Sequence, residues 1–272
     1  MRLHNILLSI GLMAVLVSCE KELDISYHNI DPLPVIEAEL TPDGARVGIT
    51  MTTPMGEPMD RTRLTDAVVT LTDLTDGVTY DLHADDDGYF VNTTSGIAGH
   101  DYRLTVERKD CRYEAMATMY PATQIESIEF NWIKMPYDYV AVFQGRFYDN
   151  AADDGDCYWI KLYRNGEIYM WGETDDRGVV DGICTVATMT TRRDTDEEDE
   201  EDVLYDGDVI TFTVMQISGE MHDYLEALQN NSNGPAMFSG DKCLGYFMAS
   251  SPVSDYMEFH PDEIPEYGRS KK

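Results

Sequence analysis

Residues 157–171 read CYWIKLYRNGEIYMW. Two aromatic-rich runs flank Asn165-Gly166, the strongest short-range signal for a two-residue β-hairpin turn. The stretch therefore predicts strands over 157–164 and 167–171. Side chains alternate across a strand, so Tyr158, Ile160 and Leu162 take one face and Trp159, Lys161 and Tyr163 the other. A hairpin this apolar belongs to a sheet with a core, and the rest of the chain is read outward from it.

The same signature recurs on both sides. Upstream, 33–40 (LPVIEAEL) and 45–52 (ARVGITMT) flank the turn Pro42-Asp43-Gly44. They are followed by 66–73, 78–83, 88–92 and 101–107. In 66–73, Val69 and Leu71 share a face, with Ala67 in line; in 101–107, Tyr102, Leu104 and Val106 do so. Short strands with a turn signal every few residues predict antiparallel sandwiches. Residues 33–120 have the length of one immunoglobulin-like module. Pro121 marks a boundary, and β-rich runs resume at 124–133, 139–148, 157–164, 167–171, 208–217 and 244–250. Only 219–228 reads as helix, with Ser218 as its N-cap and Met221, Leu225 and Leu228 on one face. The expectation is a mostly β chain of two antiparallel sandwich-like modules, 33–120 and 121–260, with one short helix in the second. The tail 261–272 is expected to fray.

Composition limits the partners. The chain has 272 residues, 51 acidic against 20 basic, and a formal net charge of −31. Nucleic acid is excluded as a partner class, because phosphate binding needs a basic surface. Electrostatic docking on anionic lipid is disfavoured for the same reason. Apolar residues make up 43% of the chain, enough for a core despite the charge. Eight of the nine residues from Asp194 to Asp202 are acidic, and such a run repels itself into an extended loop. Without this run the chain is still strongly acidic, so the charge belongs to the whole surface. Structural calcium is an alternative reading of this run and of the loops Asp85-Asp86-Asp87-Gly88 and Asp153-Asp154-Gly155-Asp156. None has the spaced ligands of an EF-hand, and plain turns are the simpler reading.

The N-terminus carries an address. Residues 6–17 (ILLSIGLMAVLV) form an apolar run of twelve. A membrane-spanning helix needs roughly 20 such residues, so the run suits a signal-peptide core. It ends in Leu16-Val17-Ser18-Cys19, which resembles a bacterial lipobox. The resemblance implies a signal peptide over 1–18, cleavage after Ser18, lipid on Cys19, and a tether over 19–32. An ordinary signal peptide with an incidental cysteine is the alternative. The acidic Glu20-Lys21-Glu22-Leu23-Asp24 resembles surface-export signals of Bacteroidota lipoproteins; a solvated tether is the plainer account. Export implies an oxidising compartment, so Cys111, Cys157, Cys184 and Cys243 are candidates for one or two disulfides, in any of three connectivities. Free buried thiols are an equal alternative. No Cys/His spacing suits zinc.

Catalysis finds little support. The chain lacks GxSxG, HExxH, P-loop and GxGxxG motifs. His222 and Asp223 are adjacent on the expected helix and point about 100° apart, a poor arrangement for one to orient the other. The expectation is no enzyme and no cofactor. Aromatic platforms on strands stack sugars, which makes Trp159 and Trp171 candidate ligand-binding residues. Ordinary cross-strand packing is the competing reading, and the alternation favours it.

Several segments in order resemble a Bacteroidota lipoprotein family, domain of unknown function 4249 (DUF4249). They are Cys19 followed by Ile36-Glu37-Ala38-Glu39-Leu40; Asp66-Ala67-Val68-Val69-Thr70-Leu71; Asp87-Gly88-Tyr89-Phe90; Gly99-His100-Asp101-Tyr102-Arg103-Leu104; Tyr113-Glu114-Ala115; Tyr205-Asp206-Gly207-Asp208-Val209-Ile210; Met221-His222-Asp223-Tyr224-Leu225; Asn231-Ser232-Asn233-Gly234; and Leu244-Gly245-Tyr246-Phe247-Met248-Ala249-Ser250. The acidic run and the four cysteines depart from the family pattern. The resemblance implies an outer-membrane, lipid-anchored protein, with the domain at the cell surface as one option. It also implies an association with a TonB-dependent β-barrel receptor, a first module like carboxypeptidase-regulatory or immunoglobulin-like sandwiches, and no catalytic residues to carry over. A stand-alone glycan- or peptide-binding lipoprotein and a structural adhesin are the other function classes.

Overall fold

A computed structural model of the chain describes residues 31–54, 57–150, 155–192 and 203–267. The signal peptide, Cys19, most of the tether and the acidic run 194–202 lie outside the described residues. The expected β class holds: sixteen strands and one α-helix among the described residues.

The first module begins with β1 (Pro34–Thr41) and β2 (Gly44–Met51). β3 (Val68–Asp73), β4 (Val78–Ala84) and β5 (Phe90–Asn92) follow, then β6 (Asp101–Arg108) and β7 (Cys111–Thr118). Their alternation buries Ile36, Leu40, Val47, Ile49, Val69, Leu71, Tyr102, Leu104 and Val106 in one core. β7 was not anticipated: Arg112, Glu114 and Met116 face outward and mask the inward Tyr113 and Ala115.

The second group of strands follows Pro121. β8 (Ile125–Lys134), β9 (Tyr139–Tyr148), β10 (Cys157–Arg164) and β11 (Glu167–Asp175) come first. β12 (Ile183–Arg192) and β13 (Asp208–Ile217) precede α1 (Gly219–Gln229). A three-stranded sheet, β12-β9-β8, faces a four-stranded one whose inner members are β10 and β13. Phe130, Trp132, Phe143, Phe147, Tyr158 and Phe212 fill the space between them. Gly145 on β9 makes room for the Phe212 ring, since a Cβ there would stand 2.6 Å from its Cζ. The β10–β11 turn puts Asn165 at φ 51° and Gly166 at φ 89°, the doubly left-handed pair of a type I′ hairpin.

Three features depart from expectation. After α1 the chain returns to the first module, so 121–260 is not one continuous unit. β14 (Ser239–Gly240) pairs with β7, and β15 (Leu244–Ala249) pairs with β1 in parallel. Parallel neighbours need a long crossover, and here the rest of the first module followed by β8 to β13 and α1 supplies it. The nine-stranded sheet then curls until its edges meet, with Tyr120 N donating to Ala249 O at 3.2 Å and Ser251 N to Tyr120 O at 3.1 Å. Second, β16 (Val253–Phe259) joins β13 as the edge of the four-stranded sheet. Third, residues 261–267 do not fray: they run along β8, where Trp132 N donates to Pro265 O at 2.8 Å and Tyr267 N to Trp132 O at 2.9 Å.

The modules share a seam. Cys157, Trp159, Met215 and Ile217 on the outer face of the four-stranded sheet pack against Met221 and Leu225 of α1 and Met248 of β15. The helix starts as read, with Ser218 Oγ accepting from Met221 N at 3.1 Å. Its buried face is Met221, Leu225 and Ala227, and the expected Leu228 points to solvent in the last turn. β10 and β13 are thus covered on both faces, which is why they read as near-continuous apolar runs.

Candidate functional site

The β10–β11 hairpin also carries the site. Tyr158, Ile160 and Leu162 face the sandwich core and Trp159 the seam, as the alternation predicts. Trp159 is 7% exposed. Its ring meets Trp171 edge-on at 6.4 Å and Tyr246 at 5.8 Å, with Lys161 Nζ 3.8 Å from its centroid. Lys161 Nζ lies 3.3 Å from Glu39 Oε1, which also accepts from Tyr246 Oη at 3.2 Å. Burial pushes the Tyr246 phenol well above its ordinary value, and the Glu39 carboxylate adds to this. Trp159 is therefore packing that joins two modules, and burial removes it from any surface platform.

Trp171 is different. It is 39% exposed, on β11, the edge of the four-stranded sheet opposite β16. β12 is the edge of the facing sheet. Between these two edges the sandwich stays open, leaving a groove of about 380 Å³ lined by Phe143, Ile160, Leu162, Met170, Trp171 and Thr188, among others. The floor is the sandwich core itself. The rim is polar: Glu173, Thr174, Thr185 and Gln229 also line it. Gln229 Nε2 donates to Glu173 Oε2 at 2.7 Å, which fixes the rim to the end of α1. Gly172 supplies the width: a Cβ there would find only Gln229 Nε2, at 3.8 Å.

Chemically, the groove offers an apolar floor, an exposed indole, hydroxyl and amide partners, and one carboxylate. Among the described residues each flanking strand pairs with one neighbouring strand, and a strand edge of this kind suits the addition of an extended segment. The acidic surface favours a neutral or cationic ligand over an anionic one. The sequence had marked Trp171 as aromatic on a hairpin. It missed Glu173, Gln229 and the β12 wall, because only the three-dimensional meeting of two edges makes them neighbours.

The four cysteines are all free thiols. Cys184 faces the sandwich core and Cys157 the seam. Burial pushes each thiol up to about 11, which keeps them protonated and poor nucleophiles. Cys111 and Cys243 are half-buried against the first-module core.

The loop Asp85-Asp86-Asp87-Gly88 is a plain turn, whereas Asp153 and Asp154 of the second acid-rich loop lie outside the described residues. Asp85 Oδ1 accepts from the amides of Asp87 at 3.0 Å and Tyr89 at 2.8 Å. Asp176 Oδ2 accepts from the amides of Gly155 and Asp156. His222 Nδ1 and Asp223 Oδ1 come within 3.5 Å, closer than their positions on the helix suggested.

His100 and Asp73 form a tighter pair, 2.9 Å apart. Burial pushes the Asp73 carboxyl up, but the hydrogen bond to His100 and the amides of Asp76 and Thr75 outweigh it and hold it below its ordinary value. The same hydrogen bond raises His100. This pair ties the end of β3 to the start of β6 and serves the fold.

No protein among the curated ones matches this chain. A family model does, described as "Domain of unknown function (DUF4249)" and covering residues 20–255. It begins at the residue after Cys19, takes in the first module, the groove, α1 and the returning strand β15, and ends within β16. The chain belongs to this family.

Proposed function

We propose that this chain is an outer-membrane lipoprotein, anchored through Cys19, that acts as a non-catalytic accessory subunit of a TonB-dependent nutrient-uptake system. In this reading the β11–β12 groove is where the domain meets a ligand or an extended segment of its partner. The observation that carries the anchor is the start of the family match at residue 20, directly after the cysteine of Leu16-Val17-Ser18-Cys19. The net charge of −31 fits a domain repelled by anionic lipid and held in solvent at the end of a tether.

The test is metabolic labelling with palmitate followed by separation of the membranes. The wild-type chain should carry label and sediment with the outer membrane, and Cys19→Ala should do neither. Label on the Cys19→Ala chain would overturn the anchor. A stand-alone glycan- or peptide-binding lipoprotein is the second reading, and the groove is what favours it. The two separate on one point: in the second, the delipidated domain binds its ligand without any receptor.

A further inference from the structure

The chain carries four free cysteines after Cys19, and the fold sorts them. Cys157 belongs to the seam and Cys184 to the sandwich interior, two clusters on opposite faces of the four-stranded sheet. Cys111 and Cys243 pack against the same core, that of the first module. Strand pairing brings them to one place. β14 sets Ser239 opposite Glu114 and Gly240 opposite Tyr113. The next residue continues the pairing, with Asp241 N donating to Arg112 O at 2.9 Å and Arg112 N to Asp241 Oδ2 at 2.8 Å. One further step along each strand reaches Cys111 and Lys242, and Cys243 is the next residue of the returning chain. Past Gly240 the chain leaves regular pairing, which lets the Cys243 side chain turn to the same core that Cys111 packs against.

We propose that Cys111 and Cys243 form a disulfide that staples the returning strand to β7, while Cys157 and Cys184 stay reduced. Both cysteines are half-buried where Cys157 and Cys184 are buried. Burial pushes the Cys243 thiol up to about 11, as it does those two, so access to an oxidant and not thiol acidity separates the pairs. Tyr113 adjoins both: burial pushes its phenol up to about 12, and the neighbouring Cys111 and Cys243 thiols act in the same direction. The staple lies where backbone pairing is thinnest, since β14 is two residues long. It would close a loop of roughly 130 residues that contains β8 to β13 and α1. The bond forms by two exchanges. One thiolate attacks a sulfur of a disulfide-bearing oxidant, a dithiol oxidase in the envelope or oxidised glutathione in vitro, and expels the first oxidant thiol. The second thiolate then attacks the protein sulfur of the mixed disulfide and expels the second oxidant thiol. The two cysteine protons leave with these thiols, and the oxidant takes up two electrons.

The experiment uses the full chain treated with oxidised glutathione, alkylated, digested without reductant and read by mass spectrometry. The expected result is one cross-linked peptide pair, Cys111 to Cys243, with Cys157 and Cys184 alkylated only after unfolding. The oxidised chain should melt above its reduced form, and in Cys111→Ser and Cys243→Ser that difference should vanish. Full alkylation of Cys111 and Cys243 in the wild type, or a cross-link from either to Cys157 or Cys184, would overturn the pairing. The alkylation map needs no variant, so a misfolded serine mutant does not rescue the idea.

Discussion

Replacing Trp159 separates packing from recognition. Its side chain is 7% exposed and bridges β10, Trp171 and Tyr246 across the seam. Truncation to alanine removes nearly all of that burial and leaves a cavity that two sheets and a helix cannot all collapse into. Large aromatic-to-alanine changes of this kind cost about 3–5 kcal/mol, and the lost edge-on contacts place Trp159→Ala near ~4 kcal/mol. The indole Nε1 is buried and has no hydrogen-bond partner among the described residues. An unmet buried donor costs about 1–3 kcal/mol. Trp159→Phe removes that donor along with some area, and the two effects oppose. The phenylalanine variant should therefore lie within about 1.5 kcal/mol of wild type. Urea unfolding followed by circular dichroism reads this directly. With a slope near ~3 kcal/mol per molar, the alanine midpoint falls by roughly 1.3 M and the phenylalanine midpoint by less than half of that. An alanine variant within ~1 kcal/mol of wild type, or a phenylalanine variant as unstable as alanine, refutes this account of the seam.

Other perturbations have defined outcomes. Gly245→Ala sets a Cβ 1.9 Å from Ile36 O at a φ of +109°. It should cost about 3 kcal/mol or more by parting β15 from β1, whereas Gly178→Ala, with nothing within 4 Å, should be near neutral in thermal melts. At Gly172 a Cβ meets only Gln229 Nε2, at 3.8 Å, so Gly172→Val should cost no more than ~0.5 kcal/mol while its branches narrow the groove and ligand or partner capture is lost; retained capture would exclude the groove. The raised His100 contributes stability that is full below the ordinary histidine value of 6.5 and fades as pH rises through the raised one. The lowered Asp73 contributes stability that is full above 3.8 and fades as pH falls through its lowered value. His100→Gln should flatten the decline at the upper end of this window in a series of melts, and an unchanged decline would contradict the pairing.

What the sequence disclosed was local. The Asn165-Gly166 hairpin, the Ser218 cap and the alternation in β3, β6 and β10 all follow from neighbours in the chain, and all appear as read. β12 was missed because ICTVATMTTR carries four threonines, shows little apolar alternation and runs straight into the acidic run. β16 was missed because an edge strand such as VSDYMEF shows both faces to water and loses its period. The β1–β15 pair joins residues about two hundred positions apart and has no local signal. Trp171 was legible as an aromatic on a hairpin. That Trp159 is buried depends on α1 and β15 arriving from elsewhere, and that a groove opens beside Trp171 depends on two strand edges failing to meet.

The central claim, an anchored subunit working with a receptor, is tested most directly by pulling the tagged full-length chain from outer membranes in mild detergent and identifying what comes with it. The account predicts a TonB-dependent β-barrel receptor in near-equal amount, lost with the Gly172→Val chain if the groove is the contact. Recovery of the chain alone, still lipidated and folded, would contradict it.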